Sequence, residues 1–182
     1  SIKAVSVTDP MLLNAEVRFA NHPIYIVGSG KTAMDSVCML NKNNPGANLK
    51  IVLIAGRGCY FIDRERIFST KAARWFGGVL LTDLLYDLCK DWDGNNQADS
   101  LAKCEKKGLL ISAVSDPENL QFGLLSLNEV KVVKDTLSEV IKGHLDDIVD
   151  DSDGNPVMHL RSGQKLPIEK GHEFYPLLLV LD

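Results

Sequence analysis

Residues Ile24 to Asp35 read IYIVGSGKTAMD, and this stretch constrains the fold more than any other part of the chain. The apolar run Ile24-Tyr25-Ile26-Val27 has the character of a buried parallel strand. It leads directly into Gly28-Ser29-Gly30-Lys31-Thr32-Ala33, which fits the pattern G-x-G-x-x-G/A, and helix-forming residues follow (Ala33, Met34, Val37, Met39, Leu40). Each position has a physical reason. Gly28 permits the tight turn out of the strand, Gly30 lets backbone approach a pyrophosphate with no Cβ in the way, and Ala33 lets the helix pack close to the strand. The helix N-terminus then offers N–H groups and a positive dipole end to the phosphates. Strand, glycines and helix in this order predict a dinucleotide-binding βαβ unit; the bland alternative is a tight strand-to-helix turn with no ligand. Gly30-Lys31-Thr32 also imitates the end of a P-loop, but that motif requires a glycine where Tyr25 stands, inside the apolar run.

The second strand of the unit is Leu49 to Ala55 (LKIVLIA), separated from the first helix by the turn-rich segment Asn41 to Gly46, where Pro45 cannot continue a helix. An NAD-binding domain places an acid at the end of this strand for the ribose 2′-hydroxyl. No acid occurs between Leu49 and Tyr60; Arg57 stands there, flanked by Gly56 and Gly58, with Arg64 and Arg66 shortly after. A guanidinium suits a 2′-phosphate through its charge and its planar fork of donors. The expected cofactor is therefore NADPH rather than NADH, against the plainer reading of Arg57 as a solvated surface arginine.

GSGKTAMD followed by a strand ending in Arg57 resembles the NADPH-binding domain of the flavin-dependent monooxygenases and related two-dinucleotide flavoproteins. In that family a FAD domain is interrupted by a second Rossmann-like domain carrying its own glycine motif. The resemblance runs from Val5 to Val180 and is sharpest from Ile24 to Arg57. A hairpin-like region (Glu139 to Ile148, Asp153-Gly154, Val157 to Leu160, Ser162-Gly163, Lys165 to Ile168) leads to the apolar run Tyr175 to Leu181, as the small meander of that family leads to its last strand. The family's final strand runs into a Cys-Thr-Gly or Ala-Thr-Gly turn, which is not found before Asp182.

The FAD motif of the family is also missing. Ser1 to His22 contains no glycine, and Gly56-Arg57-Gly58 sits at the wrong end of a strand with no helix signature behind it. The expectation is an NADPH domain alone, an excised or truncated piece or one part of a split protein, with the FAD domain absent from the chain. The resemblance implies that NADPH gives hydride to a flavin held in the same or a companion chain. This chain then supplies Gly28, Ser29, Gly30, Lys31, Thr32 and Ala33 for the pyrophosphate and Arg57 for the 2′-phosphate, with Lys31 or Asp35 near the nicotinamide ribose or the flavin domain. It implies no catalytic residue here and no substrate oxidation by the chain alone. The alternative of another class is a catalytically silent NADP-binding or partner-docking module. A complete small dehydrogenase ranks last, for want of an identifiable acid or base.

The chain has 182 residues, enough for one domain with a sizeable core. The expected fold class is α/β: a Rossmann-like parallel sheet flanked by helices, with a C-terminal antiparallel strand meander and a helical insertion. Residues 1–182 are read as a single NAD(P)-binding domain: 1–23 a lead-in, 24–67 the βαβ core, 68–135 mostly helical, 136–182 the meander and final strand. Twenty Lys and Arg against 24 Asp and Glu leave a net charge of −4, so bulk charge does not attract nucleic acid. Cys38, Cys59, Cys89 and Cys104 lack C-x-x-C spacing and read as reduced thiols in the cytoplasm. There is no signal-peptide pattern and no apolar run near the ~18 residues of a membrane span. The oligomeric state stays open.

In the middle, Ala72, Phe76, Val79, Leu80, Leu84 and Leu88 give Phe68 to Trp92 helical spacing, interrupted by Gly77-Gly78. Asp91 to Asp99 is a predicted loop, Asp99 or Ser100 the N-cap of a helix through Lys107, and Ser126-x-x-Glu129 a capping box opening a helix over Val130 to Lys134. Tyr86-x-x-x-Lys90 matches the short-chain dehydrogenase pair, but in the wrong context and on an amphipathic helix, so coincidence explains it. His22, His144, His159 and His172 are scattered without metal-ligand spacing. Asp146-Asp147 and Asp150 to Asp153 lack the glycine and glutamate of an EF-hand and read as a solvated turn. Ser112 and Ser126 have no G-x-S-x-G context.

Overall fold

Short apolar runs far apart in the chain meet in one parallel sheet. In the computed structural model, which describes residues 2–5, 23–67, 80–168 and 175–179, β1 (Ile2–Val5), β2 (Ile24–Val27), β3 (Ile51–Ile54), β7 (Glu139–Ile141) and β11 (Tyr175–Leu179) lie in the order β1-β11-β2-β3-β7. Every neighbouring pair is parallel, and β2 and β3 run in register from Ile24↔Ile51 to Val27↔Ile54. Central parallel strands are covered on both faces and so read as continuous apolar runs. Ile24, Ile26, Ile51 and Leu53 are fully buried on one face, and Tyr25, Val52 and Ile54 are buried on the other.

Between β2 and β3 the chain crosses over through α1 (Lys31–Asn43). Ala33, Met34, Val37 and Leu40 form its buried stripe, each at 1 % exposure or less. The helix stops at Asn44, whose backbone N–H and side-chain Nδ2 both donate to Leu40 O, at 3.1 and 2.9 Å, and Pro45 prevents continuation.

The sequence suggests helices flanking the sheet, but the face carrying Tyr25, Val52 and Ile54 is covered by strands. β8 (Leu145–Asp150), β9 (Pro156–Leu160) and β10 (Lys165–Pro167) form an antiparallel meander, ordered β10-β9-β8. It packs Met158, Leu160 and Ile168 onto that face, with Leu145, Ile148 and Leu166 around them. The reason is periodicity: β9 alternates buried and half-buried residues, a pattern of two that a helix cannot present. The predicted hairpin region from Glu139 to Ile148 is in fact two elements. β7 belongs to the parallel sheet beside β3, and only β8 begins the meander.

The chain divides into two compact units, residues 1–58 with 132–182, and residues 59–131. The second unit has its own sheet, with β4 (Cys59–Asp63) between β5 (Leu110–Ile111) and β6 (Asn119–Leu125). Its helices are α2 (Arg64–Ile67), α3 (Leu81–Cys89) and α4 (Gln97–Lys106), and α5 (Leu127–Thr136) begins in it. Tyr60, Ile62, Leu84, Leu101, Cys104, Leu109 and Leu110 form its core. The region expected to be mostly helical thus carries two strands as well. β5 has two residues, too few for any period to be read.

The capping box opens α5: Ser126 N–H donates to Glu129 Oε2 at 2.6 Å and Glu129 N–H to Ser126 Oγ at 3.1 Å. Helix α4 begins earlier than Asp99, after Asn96. Asp93 Oδ1 takes the N–H groups of Asn95 and Asn96 at 2.8 and 3.0 Å, while Asn96 Nδ2 donates to Asp91 O at 2.6 Å. That closes the loop by Asn96 and frees the next residue to start the helix. The expected helix over Phe68 to Val79, its Gly77-Gly78 interruption and most of the 1–23 lead-in fall outside the described residues. No helix among the described residues is long and apolar enough to cross a membrane.

Candidate functional site

The glycine turn leaves the sheet at the carboxyl edge of β2. Gly28 has φ +104°, a conformation that strongly favours glycine, and its N–H donates to Ile54 O of β3 at 2.9 Å. Gly30 is the N-cap of α1, extended at φ −73° and ψ −178°, with no side-chain capping hydrogen bond. The first helical bond runs from Met34 N–H to Gly30 O at 3.2 Å. The amides of Lys31, Thr32 and Ala33 therefore precede the intrahelical ladder. Gly30 and Ser29 are buried, Thr32 is exposed, and Ala33 is wholly buried where the helix meets the interior.

Lys31 and Asp35, one turn apart on α1, form an ion pair in which the Lys31 ammonium donates to Asp35 Oδ1. Lys31 thus adds a positive charge at the helix start that Asp35 already balances. An exposed i,i+4 pair of this kind is weak.

Arg57 lies in the turn after β3, on the strand hydrogen-bonded to β2, and its side chain is exposed. The turn is pinned to the exit of β7: Ala55 N–H donates to Ile141 O at 2.8 Å, Gly56 N–H to Gly143 O at 3.1 Å and Gly143 N–H to Gly56 O at 3.0 Å. Gly58 N–H closes it onto Ala55 O at 2.9 Å. The parallel register places the glycine turn, Arg57 and residues 142–144 at the same edge of one sheet. On the other side of β2 stands β11, so the strand order reverses between β2 and β11 at this edge. Open α/β sheets bind ligands outside the carboxyl ends of their strands at such a switch point.

Sequence reasoning missed His144 as a neighbour of this edge. Its ring lies against Gly56, beside Arg57, because β7 pairs with β3. The three-residue run Glu139–Ile141 is the only signal in the sequence, and its pairing partner is far away in the chain.

The other constellations stay apart from this edge. Tyr86 is exposed, with the Lys90 ammonium 5.5 Å from its ring centroid and bonded to Asp87 at 2.6 Å. Asp151 Oδ1 accepts from the N–H groups of Asp153 and Asn155 at 2.9 and 2.7 Å, which makes the acidic stretch a self-bonded turn. Among the described residues no three His, Cys, Asp or Glu side chains group as metal ligands. Compared with protein-family models and with curated proteins, the chain matches none, so the reading of this edge rests on its own residues.

Proposed function

We propose that the chain is the NADPH-binding domain of a FAD-dependent oxidoreductase of the monooxygenase kind, its parallel sheet a Rossmann-like one. The observation that carries this reading is the position of the glycine turn. It leaves β2 where the strand order reverses, and it ends in a helix whose N-cap has no side chain to occupy the first-turn amides. These residues fit a dinucleotide. The α1 amides and helix dipole hold the pyrophosphate, the absence of a Cβ at Gly30 allows close approach, and Arg57 clamps the 2′-phosphate. NADPH, when bound, supplies a hydride. The residues of this chain bind and orient it; no acid or base is drawn from them. On this reading FAD is held by another domain or by a companion chain.

Side-by-side calorimetric titration with NADPH and NADH tests the proposal. The expected result is NADPH binding at least ~10-fold tighter, a gap of about 1.4 kcal/mol, that disappears in Arg57→Ala. Equal affinity for the two nucleotides would remove Arg57 from the site. Failure of either to bind would reduce the glycine turn to a strand-to-helix connection.

A further inference from the structure

At the edge where the glycine turn leaves the sheet, two basic side chains from distant parts of the chain stand beside each other. Arg57 follows β3 and His144 follows β7, and they are brought together because β7 pairs with β3 and Gly56 bridges Gly143. The imidazole lies over Gly56: a Cβ there would stand 3.1 Å from Cε1 and 3.3 Å from Nδ1, with Nε2 farther off at 3.8 Å. Glycine at this position lets the ring rest against bare backbone.

Neither side chain has a hydrogen bond or an ion pair among the described residues. That sets Arg57 apart from the other described arginines. Arg64 meets Leu124 O and Glu129, Arg66 donates to Lys107 O at 2.6 Å, and Arg161 stands 3.8 Å from Asp146 Oδ1. Arg161 also holds the main chain of His144, its N–H donating to His144 O at 2.9 Å. The backbone beneath the ring is thus fixed while the exposed ring itself has no protein partner among the described residues.

Resting on the dinucleotide reading above, we propose that His144 is a second 2′-phosphate residue: its imidazole donates a hydrogen bond to the phosphate that Arg57 clamps, and so adds to the preference for NADPH over NADH. Strand order carries the geometry. The glycine turn, Arg57 and His144 follow the successive neighbours β2, β3 and β7. A nucleotide laid across this edge with its pyrophosphate on α1 therefore runs past Arg57 toward His144. A phosphate monoester presents three acceptor oxygens. The planar guanidinium fork takes two of them, which leaves the third for a donor from another direction.

Calorimetric titration with NADPH and with NADH, on the unsubstituted chain, His144→Ala, His144→Gln and Arg57→Ala, tests the assignment. His144→Ala should shrink the NADPH:NADH affinity ratio roughly 5-fold, the share of one hydrogen bond. His144→Gln, which keeps a donor, should retain a ratio about twice that of His144→Ala. In the isotope-labelled chain the His144 ring resonances, identified by their loss in His144→Ala, should shift on saturation with NADPH and stay in place with NADH. The ring is exposed, so both His144 variants should fold with little change in Tm. A ratio that survives His144→Ala but is lost in Arg57→Ala overturns the role of His144 and leaves the dinucleotide reading standing. Ring shifts of equal size with the two nucleotides do the same. Equal affinities in the unsubstituted chain remove both phosphate residues, and failure of either nucleotide to bind overturns the proposal together with the reading on which it rests.

Discussion

Gly56 and Gly143 face each other across a two-bond bridge, and a methyl group on each would meet a different fate. Gly56 has φ +58°, and a Cβ there would stand 3.1 Å from His144 Cε1. His144 is exposed and can yield, so the cost is mainly the left-handed backbone, on the order of 1 kcal/mol. Gly143 has φ +143°, and a Cβ there would come 2.8 Å from Leu160 Cδ1. Leu160 is 2 % exposed and packed in the core, so it cannot move aside, and overpacking of this kind costs roughly 1–3 kcal/mol beyond the backbone term. Gly143→Ala should therefore lower the urea-unfolding free energy by at least ~1 kcal/mol more than Gly56→Ala. Adding His144→Ala to Gly56→Ala should recover less than ~0.5 kcal/mol. Equal losses for the two single variants would mean that Leu160 does not seat against this bridge.

Among the elements, α5 shows what a short sequence window can reveal. Its capping box is a four-residue signature, and Ser126 and Glu129 satisfy each other's amides as the motif requires. Glu129 also meets Arg64 at 3.3 Å, but that pair is substantially solvated and contributes little. Ser126→Ala should cost about 1 kcal/mol. Glu129→Gln, which retains an acceptor for the cap, should stay within about 0.5 kcal/mol, and a larger loss in thermal or urea unfolding would put the weight on the ion pair instead. The same locality made β2, α1 and β3 legible, since apolar run, glycines and buried stripe lie within thirty-odd residues (Ile24 to Ile54). Tyr86-x-x-x-Lys90 shows the converse, a local match that the fold uses as surface. Long-range pairing was not legible. Ser138 reaches Ile51 across 87 residues, and nothing in Glu139-Val140-Ile141 announces a parallel strand beside β3 rather than the first arm of a hairpin. The part of the candidate edge that depends on this pairing, Gly143 and His144 beside Arg57, was hidden for the same reason. Two-residue β5 and the loop bonds that start α4 early are likewise decided by tertiary partners rather than by period.

At the scale of the whole chain, the pH dependence of stability is set unequally at its two ends. Asp87 is held below the usual carboxylate range by hydrogen bonds from Lys107 and then Lys90. Its contribution is present at neutral pH and is lost as pH falls through that depressed pKa. The group is well solvated, so the acid limb should be shallow. The alkaline limb belongs to the core of residues 59–131. Burial first, and then the hydrogen bond its phenol donates to Glu105 at 3.1 Å, push Tyr60 from 10.0 up to about 12. Burial also raises the Cys104 thiol in the same core. Because the folded pKa of Tyr60 lies above its unfolded value, its contribution is full below pH 10 and is lost as pH rises to about 12. A shift of this size amounts to roughly 2.7 kcal/mol. Urea unfolding between pH 9 and 11.5 should therefore show the unsubstituted chain losing roughly 1–2 kcal/mol more than Tyr60→Phe, whose ring stays buried but cannot ionise. The difference in tyrosinate absorbance between the two should titrate near 12. Parallel stability profiles, or a Tyr60 titration near 10, would mean that water reaches this phenol and that the core around it opens more readily than its burial implies.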